Sequence, residues 1–326
     1  MTPHHKTLSE VEISSPRLAE VRRAIALWYS NHARRLPWRR PGLSAWAILV
    51  SEIMLQQTPV VRVIPRWEEW MQRWPTPRDL AAASHAEVLR AWDRLGYPRR
   101  ALRLHEAACT ISHEHNNYVP DTAEALRALP GIGAYTAAAV AAFAYGQREA
   151  VVDVNIRRVL NRVFRGQEPV GSGVSTRDMH VAEDVLPHED HVEWNAAVME
   201  LGAVVCTARN PSCEQCPVAE HCLWLARGRP QAPEKKKTTQ AWEGTDRQLR
   251  GAIMALLREN TSGIARDTLC PTSTVAEVLP LEPAPSLQRV HVLAAGDFSR
   301  LERILADLIH DGLVECTADV VHLPGD

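Results

Sequence analysis

A mostly helical protein with a small mixed unit near its C-terminal end is the fold class this sequence predicts. Three observations lead there. Apolar residues recur with a helical period from about residue 16 to 225, and no stretch of that span alternates as a strand would. At residue 228 the texture changes to Gly-Arg-Pro-Gln-Ala-Pro-Glu-Lys-Lys-Lys-Thr-Thr-Gln-Ala-Trp-Glu-Gly, which has no apolar period and reads as an exposed linker. Beyond it, Leu249, Ile253 and Leu256 mark one helix, and Leu301, Ile304, Leu305 and Leu308 mark another that ends at Gly312. Residues 313–323 then read as a short β-hairpin turning near Ala318-Asp319.

Taken in order, residues 1–19 are expected as a flexible tail, with no apolar segment of the kind a signal peptide carries. Within the helical region, Trp67, Trp70 and Trp74 fall at i, i+3 and i+7, the spacing of a core stripe rather than of an aromatic platform for bases. The longest apolar stretch, Ala134–Tyr145, is too short to span a bilayer. Residues 229–243 form the linker and 244–326 a second unit. A helix followed by Asp-Gly-Leu-Val-Glu and a hairpin resembles a winged-helix module, which contacts proteins about as readily as it reads DNA.

The 326 residues suffice for two domains; 45% are hydrophobic and 23% charged, ordinary values for a globular protein. A net charge of −2 argues weakly against binding a polyanion. Local patches decide that question, and basic residues do cluster at Arg34, Arg35, Arg39 and Arg40, at Arg99, Arg100 and Arg103, and at Arg157, Arg158, Arg162 and Arg165. Any one cluster reads as a solvated helix face; three together lean toward nucleic acid. The histidine pairs His113/His115 and His188/His191 lack metal-site spacing.

Four of the seven cysteines, Cys206, Cys213, Cys216 and Cys222, are spaced C-x6-C-x2-C-x5-C. Thiolates so close in sequence can converge on one metal centre, and thiolate is the ligand that iron–sulfur clusters and zinc prefer. Structural zinc usually shows two close pairs with a long spacer, so one Cys-x-x-Cys bracketed unequally fits a [4Fe–4S] cluster better. Zinc with His221 as a substitute ligand is the alternative. Cys109, Cys270 and Cys316 are scattered, so no disulfide framework is expected and a reducing cytosol is.

Leu129-Pro-Gly-Ile-Gly133 lies between helical runs at 122–129 and 135–145. Gly131 and Gly133 allow a tight turn, and the amides opening the next helix can face an anion such as a DNA phosphate. In Ala45–Leu55 only Ser51 and Glu52 are polar, and a carboxyl among apolar neighbours is favoured in its neutral form, as a general acid needs. Asp153, in Val151-Val-Asp-Val-Asn-Ile-Arg-Arg158, could simply cap a helix or serve as an ionised carboxylate beside a cationic sugar.

Together these motifs resemble the helix-hairpin-helix/Gly-Pro-Asp superfamily of DNA glycosylases, in its iron–sulfur branch. Ser51-Glu-Ile-Met-Leu-Gln-Gln-Thr58 is similar to the catalytic helix of the MutY-type adenine glycosylases, supported by Leu36-Pro-Trp-Arg39, Leu95-Gly-Tyr97 and Glu200-Leu-Gly202. The resemblance covers residues 20–228. It implies a helix-hairpin-helix glycosylase fold, with a six-helix subdomain at about 44–150 and a cluster subdomain of 20–43 plus 151–228. It also implies hydrolysis of the N-glycosidic bond of adenine opposite 8-oxoguanine or guanine in double-stranded DNA, after the base is flipped out. Glu52 would protonate the adenine and help activate water, Asp153 would stabilise the cationic sugar, and Asn155 would hold the reacting groups.

By the same resemblance Trp38, Arg39, Leu55 and Val60 would line the base pocket, Gln57 and Tyr97 would wedge into the vacated stack, and Gly131 and Gly133 would take a phosphate. Tyr135 stands where lyase-competent relatives have a Schiff-base lysine, which implies a monofunctional enzyme, with Tyr135 against the sugar or Asp153. The cluster would fold a loop whose Arg209 and Arg227 reach phosphate. A monomer in the cytoplasm, associated with the nucleoid, is expected. Residues 244–326 depart from the family pattern, lacking the C-terminal domain that helps recognise 8-oxoguanine; Val154 and Ala196 are smaller departures. An endonuclease-III-like or mismatch thymine glycosylase and a non-enzymatic iron–sulfur DNA-binding regulator are the other readings.

Overall fold

The computed structural model describes residues 15–171, 173–231, 243–271 and 284–326. Most of the expected tail and linker, 1–14 and 232–242, lies outside the described residues. The chain divides into two compact units: 1–48, 121–128 and 132–236 make the first, and 49–120, 129–131 and 237–326 the second. Nothing in sequence order announces this grouping, which places the segment beyond the linker with residues 49–120.

Helix α1 (Ser15–His32) begins inside the stretch expected as a tail. Helix α2 (Ala45–Leu55) starts in the first unit and ends in the second, which continues with α3 (Val60–Arg73), α4 (Pro77–Ala81), α5 (His85–Trp92) and α6 (Arg99–Glu114). Thr76 and Ser84 close capping boxes with Asp79 and Glu87, which fixes the starts of the two short helices. The tryptophan stripe is core: Trp67, Trp70 and Trp74 are each at most 4% exposed, and Trp70 packs edge-on against Trp74 and Trp92.

The first unit resumes with α7 (Ala123–Arg127), α8 (Ala134–Tyr145), α9 (Val154–Leu160), α10 (Thr176–Val185), α11 (His191–Val204) and α12 (Leu223–Ala226). Its core joins Val21 and Ile25 of α1 to Ala139 and Ala142 of α8, Ile156 and Val159 of α9, and Val198 and Leu201 of α11. Half the residues of the alanine-rich α8 are buried. Among the described residues no helix is long and apolar enough to cross a membrane.

The described residues of 244–326 fold as α13 (Asp246–Glu259), β1 (Ile264–Ala265), α14 (Arg266–Leu269), α15 (Pro285–Ala294), α16 (Phe298–His310), β2 (Glu315–Thr317) and β3 (Val320–His322). The expected hairpin forms, with Ala318 and Asp319 both at positive φ (49° and 61°), as a two-residue turn requires. Strand β1, two residues long and therefore without a readable period, pairs antiparallel with β3 to give the order β1-β3-β2. Helix, strand, helices and hairpin in this sequence are the arrangement of a winged helix. This module shares one apolar core with α5 and α6, because Ala86, Leu89 and Leu102 pack among Ile253, Leu256, Leu305 and Val321.

Candidate functional site

The turn between α7 and α8 is made as the glycines suggest. Gly131 has φ +73°, and a Cβ there would stand 2.6 Å from Cβ of Arg103, so both conformation and space demand glycine. Gly133 sits at the N-cap of α8 with extended backbone and open space around it; no side chain caps this helix, and its first turn carries no acid. The positive end of the helix dipole is therefore not neutralised by any acid of its own first turn.

In the first unit, Asp153 caps α9. Its Oδ1 accepts from the amides of Asn155 (2.9 Å) and Ile156 (2.7 Å), and its Oδ2 accepts from Nδ2 of Asn155 (2.8 Å). Burial lifts the carboxyl above the usual range, opposed by these hydrogen bonds and by the charge of Arg158. Asn155 is itself held: its Oδ1 accepts from Arg158 (2.8 Å), whose guanidinium also donates to the carbonyls of Gly202 (2.6 Å) and Cys206 (2.7 Å). Gly202 permits this, since a Cβ there would meet the Asn155 carbonyl oxygen at 2.9 Å. Tyr135 packs half-buried against the same core.

Arg39, expected in the base pocket, pairs with Glu200 (2.9 Å), as does Arg34. Burial alone would raise the fully buried Glu200 carboxyl, but the Arg34 hydrogen bonds and the charges of both arginines hold it below its ordinary value. Neighbouring Trp38 is buried in the turn Pro37–Arg39. The basic residues 157, 158 and 162, expected as solvated faces or a phosphate patch, are corrected by the structure: they are 6%, 8% and 1% exposed. Arg157 pairs with Asp178 (2.8 Å) and Arg162 with Glu168 (2.8 Å), so their charge is spent inside the protein.

The four cysteines line one cavity, of ≈ 360 Å³ including space open to solvent, together with Val159, Leu201, Val205 and Trp224. Burial raises the Cys206, Cys216 and Cys222 thiols, Cys216 to about 12. Such thiols become good ligands only against a strong local positive charge, and four of them round one cavity fit an iron–sulfur cluster. Among the described residues no group of three or more His, Cys, Asp and Glu is placed round a single metal ion, whereas in a [4Fe–4S] cluster each of four thiolates binds a different iron. His221 turns away from the thiols toward Glu20 (3.8 Å) and is absent from the cavity wall, which disfavours zinc. Arg162 donates to Cys206 Sγ (3.3 Å) and lies over the Trp224 ring (4.3 Å), closing the cavity from within. Arg209 and Arg227 are exposed, and Arg227 donates to the Arg165 carbonyl (2.8 Å).

In the second unit Glu52 is 6% exposed on α2, beside the fully buried Ser51. Leu55 and Val60 are half-buried, and Gln57, in the turn between them, is exposed with φ +54°. Tyr97 is 47% exposed with φ +48°. Two non-glycine residues in the left-handed region mark backbone that the surroundings must hold. Arg100 holds it: its guanidinium donates to the carbonyls of Ile53 (2.9 Å), Met54 (3.3 Å), Gln56 (2.5 Å) and Gly96 (3.0 Å), and to Oγ1 of Thr58 (3.0 Å). Burial pushes Arg100 down to about 10. Read from sequence as part of a basic cluster, it is instead the clasp between the Gln57 and Tyr97 turns.

Arg100, Arg158 and Gly202 are the residues sequence reasoning missed. Gly202 was visible within Glu200-Leu-Gly202 but its partner was not; the two arginines carried no local signal of which way they point.

A fold of this kind, with a glycine turn feeding a helix, a capped aspartate and a four-cysteine loop, defines a base-excision DNA glycosylase of the helix-hairpin-helix class. Residues 50–174 match the HhH-GPD superfamily of base excision DNA repair proteins, and residues 206–222 match the iron-sulfur binding domain of endonuclease III. Adenine DNA glycosylase of Mycolicibacterium smegmatis (strain ATCC 700084 / mc(2)155) is 47% identical over 90% of this chain and 92% of its own. The Mycobacterium tuberculosis (strain ATCC 25618 / H37Rv) enzyme is 44% identical over 99% of both chains. Human adenine DNA glycosylase is 44% identical over 62% of this chain and 38% of its own. Among solved structures, a thermostable thymine-DNA glycosylase superposes with a TM-score of 0.61 at 27% identity, covering 65% of this chain and 98% of that one. Endonuclease III in a non-covalent DNA complex gives 0.57 at 19%, a likeness of fold alone.

The chain belongs to the adenine DNA glycosylases, and it carries their [4Fe–4S] cluster. The Mycobacterium tuberculosis relative matches 99% of the chain, whereas the human enzyme matches 62% of it.

Proposed function

We propose that this enzyme removes adenine mispaired with 8-oxoguanine or guanine in duplex DNA, by hydrolysis and without cutting the strand. The observation that carries the mechanism is the setting of Asp153, a half-buried carboxylate with three hydrogen bonds and an arginine behind it. Three donors fix its orientation before the reaction, so no reorganisation is needed as positive charge grows on the deoxyribose. Low local dielectric strengthens its attraction for that charge. Asn155 keeps Oδ2 aligned and Arg158 keeps Asn155 aligned.

Glu52, buried on an apolar helix, is the acid that gives its proton to the departing adenine and afterwards helps activate water. Gln57 and Tyr97 enter the stack that the adenine leaves, Trp38, Arg39, Leu55 and Val60 line its pocket, and the amides opening α8 after Gly131 and Gly133 hold a phosphate. The cluster supplies no reacting group in this scheme; Cys206, Cys213, Cys216 and Cys222 hold it, and it fixes a loop that presents Arg209 and Arg227 to the duplex. Tyr135, unable to form a Schiff base, supports the monofunctional outcome. We take the working form as a monomer on the nucleoid.

Single-turnover release by the cluster-loaded protein, on duplexes pairing adenine with 8-oxoguanine, guanine and cytosine and on one carrying thymine glycol, tests the reading. Adenine loss confined to the first two is expected. Glu52→Gln should bind the same duplexes and slow release by about 10²–10⁴-fold; unchanged release, or cleavage of thymine glycol instead, overturns the assignment.

A further inference from the structure

The winged-helix module does more than fill space. It is fastened to α5 and α6 by the shared core and by charged groups: Arg90 makes a two-pronged pair with Asp326 (2.7 Å each), Arg258 donates to the Leu89 carbonyl (3.0 Å), and Arg99 pairs with Asp311 (3.3 Å). Its first helix thereby delivers Arg247 to the Tyr97 turn, with the guanidinium carbon 5.1 Å from the ring centroid. Arg100 stands 5.6 Å from the same centroid, so one exposed phenol ring has two guanidiniums beside it. The adjoining acid does not compete for Arg247's turn of helix, because Asp246 pairs with Arg300 and Arg303 (2.7 Å each).

An exposed tyrosine on a left-handed backbone has no reason to hold one ring orientation by itself. A cation over a ring face attracts it, and two together favour one ring orientation over the others. We propose that Arg247 is a positioning residue for base extrusion: with Arg100 it sets the Tyr97 ring for entry into the duplex, so that the C-terminal module takes part in unstacking the target. This rests on the reading of Tyr97 as the wedge. It gives the module a task at the DNA.

The test uses the full-length, cluster-loaded chain with Arg247→Ala, Arg247→Lys, Tyr97→Ala and the Arg247→Ala/Tyr97→Ala double variant. Duplexes carry 2-aminopurine beside an adenine–8-oxoguanine pair, so that fluorescence reports unstacking while single-turnover release reports chemistry. Arg247→Ala should lose most of the fluorescence rise and slow release by about tenfold, with duplex affinity weakened by less than about threefold and the thermal midpoint unchanged. Arg247→Lys should fall between, since lysine keeps the charge and loses the flat guanidinium. The double variant should be no worse than Tyr97→Ala, because both act in one step. A normal fluorescence rise in Arg247→Ala, or additive losses in the double variant, overturns the proposal. If the unsubstituted enzyme releases no adenine, the functional reading itself fails, a result distinct from either.

Discussion

Arg100 in the second unit and Arg158 in the first are both basic residues buried against backbone carbonyls, yet they serve different ends. Arg100 gathers the carbonyls at and just beyond the C-terminal end of α2 and the Gly96 carbonyl, and among the described residues no carboxylate pairs with it. It fixes the shape of two turns that stand out toward solvent. Arg158 gathers the Gly202, Cys206 and Val154 carbonyls and also donates to Asn155, two residues from the Asp153 carboxylate that Asn155 holds. The first is a clasp for the Gln57 and Tyr97 turns and the second a brace behind Asp153. The difference teaches that a cluster of arginines in a DNA-binding chain is not automatically a phosphate grip.

Four substitutions break or sharpen this contrast. Arg100→Met should have the largest effect, about 4 kcal/mol of lost stability, because several buried acceptors lose their donor at once; denaturant unfolding measures it, and proteolysis should first open the turns at 56–58 and 95–97. Gly202→Ala should cost about 3 kcal/mol through its collision with Asn155, and should slow adenine release more than it weakens duplex binding. Equal losses in the two would sever Arg158 from the chemistry.

Asp178, partner of Arg157, is third. Burial alone would raise its carboxyl, but hydrogen bonds from Asn161, Ser175 and Arg157 hold it at about 2 against an ordinary 3.8. A depressed carboxyl stabilises fully above its unfolded value and loses that contribution as pH falls through the folded one. Asp178→Asn should therefore cost about 2 kcal/mol at neutral pH and nearly nothing near pH 2, measured by urea midpoints across that range. Smallest is Glu69→Gln at the exposed Arg66–Glu69 pair, expected below about 0.5 kcal/mol and vanishing in salt.

What could be read from sequence divides along physical lines. Cys206 to Cys222, Gly131 and the capping of α9 by Asp153 were legible because each is a local requirement: ligand type, positive φ, a side-chain acceptor at a helix start. The tryptophan stripe and the hairpin turn were legible because spacing alone dictates them. The direction of Arg158 was not, since its acceptors lie up to 48 residues away. Nor was the union of the winged-helix module with α5 and α6, where Arg258 meets the Leu89 carbonyl 169 residues earlier. Strand β1 was too short to show any alternation.

Seen from the cysteine loop, the brace formed by Arg158 has a further meaning. The Cys206 carbonyl, in the loop that carries the four cysteines, is two hydrogen-bonded neighbours removed from the Asp153 carboxylate. A chain that emerges from synthesis without its metal would thus have a misaligned aspartate before it had any other defect. Base release by half-made enzyme would be held back by the same linkage. Comparing release rates of metal-free and loaded protein at saturating duplex checks this: the step rate, not the occupancy, should be what iron restores.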